Sequence, residues 1–338
     1  MQIMDDTKRL HVRPPEAGGF PRRITLELTN RCNLNCTFCP RRLMEKHQGF
    51  LETSLAKELM DEISQNLPVA LVPFFRGETL LHPDWVEILT YAKKRGIGPI
   101  QFTTNATLMN NEATEAILDL ELDFISFSMD TLDPSIYNQT RRGSNYQQVL
   151  KNVLNFIEKK ETRGQGLPEV QISCVDTPLH RPGLEAFVEF WRPKVDRVRI
   201  YVEHSQDGHP GSIAEPLPGF DRRLPCFKVF TDMVIYWDGE VAVCNHDWTR
   251  GEGHRIGNVK DGGIASIWNG KRYNDLRESH KSGELDLEPL CHFCDHWKMY
   301  YLTEGYLGKV YKRSQFKAPG SLASKGTENR YGNANSSY

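Results

Sequence analysis

The sequence predicts an α/β protein: six strand–helix units forming a partial barrel, (β/α)6, ahead of a smaller unit made of a β-hairpin and a helix. Three observations carry this expectation. Between residues 23 and 203 short alternating runs take turns with helical patterns, the βαβα order of a parallel sheet or barrel flanked by helices. Within those runs one strand face is repeatedly polar. Beyond residue 220 the order changes to a hairpin pattern and one helical stretch.

The strands are expected at residues 23–29, 70–75, 98–105, 122–130, 169–176 and 196–203. Apolar spacing gives the helices between them, with Leu55, Leu59 and Ile63 on one face and Val149, Val153 and Ile157 on another. Pro83 suits the first turn of a third helix that ends near Gly96. Successive strand side chains point to opposite faces. The polar face carries Thr25, Glu27 and Thr29, then Gln101, Thr103 and Asn105, then Ser126, Ser128 and Asp130, then Gln171 and Ser173, then Arg197, Arg199, Tyr201 and Glu203. Parallel strands buried on both faces would read as nearly continuous apolar runs, and a closed eightfold barrel fills its lumen with branched apolar residues. A partial barrel with a polar lumen fits better, although a sheet with one solvated face gives the same alternation.

The stretch 205–220 is rich in Gly and Pro and lacks either periodicity, so a boundary is expected there. Residues 1–21 read as an N-terminal extension, 22–205 as the barrel, 206–220 as a linker and 221–313 as the second unit. In that unit residues 228–244 form a hairpin turning at Asp238-Gly239, followed by a helix over about 264–278. The polar tail 314–338 has little to bury and is expected to be disordered.

The 338 residues are 39% hydrophobic and 25% charged with a formal net charge of -2, which supplies no single-sign field for nucleic acid or acidic lipid. No N-terminal apolar stretch resembles a signal peptide, and no run of about 18 apolar residues occurs, so a cytoplasmic protein without membrane or nucleic-acid partners is expected. Eight cysteines in such a chain point to metal binding or redox chemistry rather than disulfides.

Cys32-Asn-Leu-Asn-Cys36-Thr-Phe-Cys39 follows the first strand directly, at the end where α/β folds place their chemistry. Three thiolates can hold three irons of a cubane and leave the fourth open to the amino and carboxylate groups of a ligand. Four cysteines saturate a cluster used for electron transfer. A structural zinc takes four protein ligands, and no His lies within this triplet.

On these residues the chain resembles the radical S-adenosylmethionine superfamily, whose signature is Cys-x3-Cys-x2-Cys with an aromatic residue before the last Cys, here Phe38. The resemblance runs over about residues 22–205. Arg76-Gly77-Glu78 is similar to the family's Gly-Gly-Glu segment, with Arg in place of the first Gly. Thr104-Asn105 and Ser128-x-Asp130 are similar to positions lining the methionyl and ribose parts of the cosubstrate. Arg141 resembles a carboxylate-binding arginine, with Arg142 beside it. The resemblance implies a partial (β/α)6 barrel of the TIM type and a 4Fe-4S cluster on Cys32, Cys36 and Cys39. It implies S-adenosyl-L-methionine held by Phe38, Gly77, Glu78, Asn105, Ser128, Asp130 and Arg141. It further implies cleavage of that cosubstrate to methionine and a 5′-deoxyadenosyl radical, with a reduced flavodoxin- or ferredoxin-type protein as electron donor.

Cys226 is followed by Gly239 after twelve residues and by Cys244 after four more, and Cys291-His-Phe-Cys294 comes after the helix. Spacing alone leaves zinc and iron-sulfur both open, since each accepts four cysteines. Cys-x(9–15)-Gly-x4-Cys downstream of a radical domain resembles the SPASM and twitch extensions, which carry auxiliary 4Fe-4S clusters. No cysteine follows Cys294, so the one-cluster twitch form is the nearer match. Residues 256–274 resemble the linker of such domains.

The function implied is an oxidoreductase acting on a polar substrate, for example the secondary alcohol of a sugar or aminocyclitol, with the auxiliary 4Fe-4S cluster taking an electron. Radical modification of a peptide or protein side chain, redox-neutral epimerisation, and a noncatalytic scaffold are the alternatives. No catalytic base is assigned. Cys174 shares a strand face with Val170 and Ile172 and is expected to be an inert core residue. His292 and His296 are expected at the surface, and Trp297, Tyr300 and Tyr301 in helix packing.

Overall fold

In the computed structural model the described residues are 12–44, 47–213, 217–251, 254–285, 288–302 and 308–313. The tail 314–338 lies outside them, as do residues 1–11 of the N-terminal extension. In chain order the strands are β1 (Arg23–Leu26), β2 (Asn35–Cys36), β3 (Ala70–Val72), β4 (Gln101–Thr104), β5 (Phe124–Ser128) and β6 (Arg141–Arg142). They continue with β7 (Glu169–Asp176), β8 (Arg197–Val202), β9 (Asp232–Ile235), β10 (Glu240–Ala242), β11 (Gly257–Asn258) and β12 (Lys309–Lys312). The helices are α1 (Thr53–Ser64), α2 (Trp85–Lys94), α3 (Asn111–Asp119), α4 (Pro134–Thr140), α5 (Tyr146–Thr162) and α6 (Leu184–Trp191). After them come α7 (Lys228–Thr231), α8 (Gly263–Trp268), α9 (Lys271–Ser282) and α10 (Pro289–His292). The six expected strands are present as β1, β3, β4, β5, β7 and β8, each with a helix after it in the order of a (β/α)6 repeat.

The described residues divide between two compact units, the first within Met1–Cys32, Pro40–Ile100 and His204–Thr303, the second within Asn33–Cys39, Gln101–Glu203 and Glu304–Tyr338. In the first unit the sheet runs β11-β10-β9-β1-β3. Strand β1 pairs in parallel with β3 on one side and with β9 on the other, Arg23 opposite Asp232 and Leu26 opposite Ile235. Strands β9 and β10 make the antiparallel hairpin expected at Asp238-Gly239. Its turn needs glycine: Gly239 has φ +88°, and a Cβ there would sit 2.8 Å from Asn258 Oδ1. Helix α1 buries Leu55, Leu59 and Ile63, and Glu62 on the same helix accepts from the backbone of Ile264 and Ala265, both at 2.8 Å, capping α8. Trp268 Nε1 and Asn269 Nδ2 donate to the carbonyls of Gly18 and Gly19, which fixes the end of the N-terminal extension.

The second unit has a sheet ordered β12-β8-β7-β5-β4, parallel from β4 to β8, with β12 added antiparallel to β8. Three of its helices start on side-chain caps, Asn110 for α3, Asp133 followed by Pro134 for α4, and Asn145 for α5. Strand alternation sorts the faces as expected. Phe127 packs on Phe156 of α5 with ring centroids 5.1 Å apart, while Ser126 and Gln171, opposite each other in register, join by a 2.9 Å hydrogen bond on the other face. Ser126 and Gln171 are nevertheless buried, so this polar face is lined and ordered rather than washed by solvent.

Candidate iron-sulfur and cofactor sites

In the second unit the loop that carries Cys36 and Cys39 is held by a two-residue ladder. Cys36 in β2 stands opposite Arg141 in β6, the Thr37 amide donates to the Thr140 carbonyl at 2.9 Å, and the Cys39 amide donates to the Cys36 carbonyl at 3.3 Å. The pairing brings Arg141 Nη1 to 4.0 Å from Cys36 Sγ and its guanidinium carbon to 5.4 Å from the Phe38 ring centre. Arg141 is buried while Arg142 is exposed. The carboxylate that Arg141 meets here is that of Asp130. Burial lowers the Arg141 pKa, but Asp130, Cys36 and Tyr137 more than reverse this, and the guanidinium is held above its ordinary value. A permanent cation beside Cys36 favours the thiolate, the form that binds iron.

Asp130 takes up a left-handed conformation with φ +61°, and its second carboxylate oxygen accepts from the Val175 amide at 2.9 Å. Phe38 lies edge-on to His180 at 5.4 Å, and His180 is anchored to the Val175 carbonyl and to Thr140 Oγ1. Asn105, at the end of β4, donates to Asn33 Oδ1 at 3.0 Å and accepts from the Thr107 amide and hydroxyl. Asn33 in turn donates to Thr107 Oγ1 at 2.7 Å. Ser128 is half-buried at the end of β5, opposite Ser173. Sequence reasoning missed His180, Asn33 and Thr107, which carry no periodic or motif signal. Cys174 is buried as expected, with Sγ 3.0 Å from the Asp130 carbonyl, and burial followed by the field of Asp130 drives its pKa upward.

In the first unit Cys32 is half-buried. A Cβ on Gly77 would lie 2.2 Å from the Thr29 carbonyl oxygen and 2.5 Å from that of Arg31, so glycine is required where the two segments approach. The next amide, Glu78 N–H, donates to the Arg31 carbonyl at 2.7 Å, and the buried Glu78 carboxylate accepts from the Leu80 amide. Arg76 has a structural use. It forms a bidentate pair with Glu27, both contacts 2.8 Å and both side chains fully buried, and lies over the Tyr236 ring at 4.2 Å. Removing one partner of such a pair strands a buried charge, so Arg76→Met is expected to cost about 3–5 kcal/mol, with Glu27→Met/Arg76→Met recovering much of it. Urea unfolding under argon checks this. A loss below about 1 kcal/mol in the single variant would show that the pair behaves as an exposed one.

The four C-terminal cysteines converge. All are free thiols, Cys291 buried and Cys226, Cys244 and Cys294 half-buried. Burial pushes every one of their pKa values up, that of Cys294 to about 12. The Cys291 thiol also feels Cys244, Cys294 and Cys226, and the Cys244 thiol feels Cys294 and Cys226. Four unbridged thiols inside one another's field form a donor set that fits a saturated 4Fe-4S cluster. Their frame is tight: the Cys226 amide donates to His280 Nδ1, the Cys294 amide to the Cys291 carbonyl, and Arg223 to the Cys294 carbonyl at 3.0 Å. Trp297, Tyr300 and Tyr301 pack on Phe220 and Phe227, the Phe227 and Tyr300 rings stacked at 4.5 Å. Of the two flanking histidines, His292 is exposed, but His296 is buried rather than at the surface, because the 205–212 turn covers it.

Residues 26–163 match the family described as the Radical SAM superfamily, and residues 226–295 match SPASM, an iron-sulfur cluster-binding domain. The chain carries a radical SAM domain and a C-terminal SPASM/twitch-type domain; its cofactors are S-adenosylmethionine, a 4Fe-4S cluster and auxiliary iron-sulfur. It is similar over 314 residues, at 25% identity, to the tungsten-containing aldehyde ferredoxin oxidoreductase cofactor-modifying protein of Pyrococcus furiosus, covering 80% of this chain and 86% of that one. It is 33% identical over 139 residues to a probable GTP 3′,8-cyclase of Methanococcus maripaludis, a match over 40% of this chain that spans less than half, 46%, of the relative. Among solved structures it resembles Streptococcus suis SuiB bound to the precursor peptide SuiA, with TM-score 0.65, 15% identity and coverage of 84% and 74%. It also resembles BtrN in complex with AdoMet and 2-DOIA, with TM-score 0.54, 17% identity and coverage of 81% and 92%. These likenesses show the fold, an α/β partial (β/α)6 barrel of the TIM type with a hairpin-and-helix extension. Among the described residues no helix is long and apolar enough to cross a membrane.

Proposed function

We propose that this radical SAM enzyme oxidises a polar small molecule by two electrons, and that an auxiliary 4Fe-4S cluster on Cys226, Cys244, Cys291 and Cys294 receives the second electron. The convergence of those four thiols carries the reading, since a cluster held by four cysteines has no iron left for substrate and is suited to electron transfer. When bound, the 4Fe-4S cluster and S-adenosylmethionine supply the radical chemistry that removes hydrogen from carbon. Cys32, Cys36 and Cys39 would hold that cluster. Arg141, fixed by Asp130, keeps positive charge at Cys36, and Gly77 permits the backbone approach that sets Glu78 in place. Phe38, Asn105 and Ser128 complete the residues assigned to the cosubstrate.

The ordered polar face that includes Ser126 and Gln171 offers hydroxyl and amide groups suited to a hydroxyl-rich substrate, such as the secondary alcohol of a sugar or aminocyclitol. Similarity to a cofactor-modifying protein over most of both chains supports a polar small molecule. A peptide is the second substrate class, supported by the likeness to SuiB with its precursor peptide. A reduced flavodoxin- or ferredoxin-type donor and a reducing, cytoplasmic setting accord with seven cysteines assigned to iron and none paired in a disulfide.

Anaerobically prepared protein is expected to hold close to two 4Fe-4S clusters, about eight iron atoms per chain, and the variant lacking Cys32, Cys36 and Cys39 about four. Iron, sulfide and zinc analysis checks this, and zinc in place of the remaining iron would overturn the electron-acceptor reading. With dithionite and S-adenosylmethionine, one oxidised product per 5′-deoxyadenosine is expected from an aminocyclitol panel and none from a peptide panel.

A further inference from the structure

We propose that His204, His246 and His296 form a site for one divalent transition-metal ion, separate from both cysteine sets. One ring nitrogen from each lies within 4.8 Å of the other two. The ring centroids are 4.0 Å apart for His246 and His296, 5.0 Å for His204 and His246, and 5.1 Å for His204 and His296. His246 and His296 are buried and His204 is half-buried. Zn–N bonds of about 2.0–2.1 Å would set three nitrogens about 3.3 Å apart, a closure that modest side-chain rotation supplies.

The surrounding turn holds the rings by their outer nitrogens, as metal-binding imidazoles are held. His296 Nδ1 meets the Gly211 carbonyl at 3.0 Å; that oxygen can only accept, so the neutral ring carries its lone pair on Nε2. His204 Nδ1 meets Ser205 Oγ at 2.8 Å, and the same hydroxyl accepts from the Gly211 amide at 2.7 Å. One turn, closed by the Ser205 amide on the Ser212 carbonyl at 2.9 Å, thus orients two of the three imidazoles. Gly211 has φ +78°, and a Cβ there would lie 2.5 Å from Cys294 Sγ and 3.4 Å from the His246 ring, so the turn sits directly against both cysteine and histidine.

The sequence contains the other half of the design. Cys244-Asn245-His246 and Cys294-Asp295-His296 repeat a Cys-x-His spacing, so each segment that supplies a thiol to one set supplies an imidazole to the other. Three nitrogen donors with no carboxylate among them select zinc, iron, nickel or cobalt over magnesium or calcium. Three protein ligands also leave a position for water or for an oxygen donor from a substrate. The assignment stands on these residues and does not depend on the oxidation reading.

The test uses holoprotein with both clusters in place and iron counted first. After treatment with EDTA and desalting, Zn(II) is titrated under argon and quantified by mass spectrometry, and Co(II) is followed by its high-spin electron paramagnetic resonance signal. One zinc per chain above the iron content is expected. His204→Ala should weaken zinc binding by at least tenfold with iron unchanged, and Ser205→Ala, which removes both the outer contact to His204 and the acceptor of the Gly211 amide, about tenfold. Absence of stoichiometric zinc, zinc retained equally by His204→Ala, or zinc that rises only as iron falls would each overturn the site.

Discussion

Replacing Cys32, Cys36 or Cys39 singly by Ala lowers 5′-deoxyadenosine formation by at least about a thousandfold, roughly 4 kcal/mol of barrier at tenfold per 1.36 kcal/mol. The size follows from the donor count, because a site with three thiolates has no spare anchor for the cluster. These cysteines are half-buried on a loop, so truncation opens no core cavity, and unfolding free energy should stay within about 1 kcal/mol of wild type. The β2–β6 ladder rests on backbone bonds that Cys36→Ala leaves intact. Anaerobic turnover with dithionite, quantified by chromatography, reads the effect. Undiminished 5′-deoxyadenosine in any one variant would sink the assignment of that thiol to the cluster.

Changing Cys291 and Cys294 together to Ala is expected to separate two activities that wild type couples: cosubstrate cleavage persists within about tenfold, while oxidised product falls by about a hundredfold or more. The asymmetry follows if the auxiliary cluster only accepts the second electron, since its loss leaves the first hydrogen abstraction without an outlet. Part of any loss is structural, because metal binding to converging thiols contributes folding energy. Thermal unfolding of wild type and variant under argon distinguishes the two. A folded variant that cleaves the cosubstrate and still forms product at the wild-type rate would rule out an obligatory electron acceptor and favour a redox-neutral reaction.

Strand alternation made most of the barrel legible, because a polar face repeated over five of the six strands fits a polar lumen better than strands buried on both faces; β7 occupies the expected residues 169–176 end to end. The cysteine spacings marked both donor sets. What stayed hidden depends on long-range pairing. Nothing in residues 232–235 says that this strand will lie beside β1, and a two-residue ladder such as β2–β6 is too short to leave a pattern. The 205–220 stretch read as a boundary because it is rich in Gly and Pro and lacks periodicity, yet within it residues 205–212 make an ordered turn through the positive φ of Ser205 and Gly211. Arg76 broke the family's Gly-Gly-Glu pattern for a reason visible only in three dimensions, a buried partner 49 positions away at Glu27.

The parallel pairing of β9 with β1 bears on how this chain can be dissected. Arg23, Ile24, Thr25 and Leu26 run beside Asp232, Met233, Val234 and Ile235, so the strand entering the first cysteine loop shares its ladder with the strand leading toward Cys244. A truncation at residue 220, the natural place to excise a radical domain for study, would strip β1 of that neighbour and leave a row of unpaired amides and carbonyls open to another chain. Fragments meant to isolate either half therefore call for a covering strand supplied in trans, or for point variants in the intact chain.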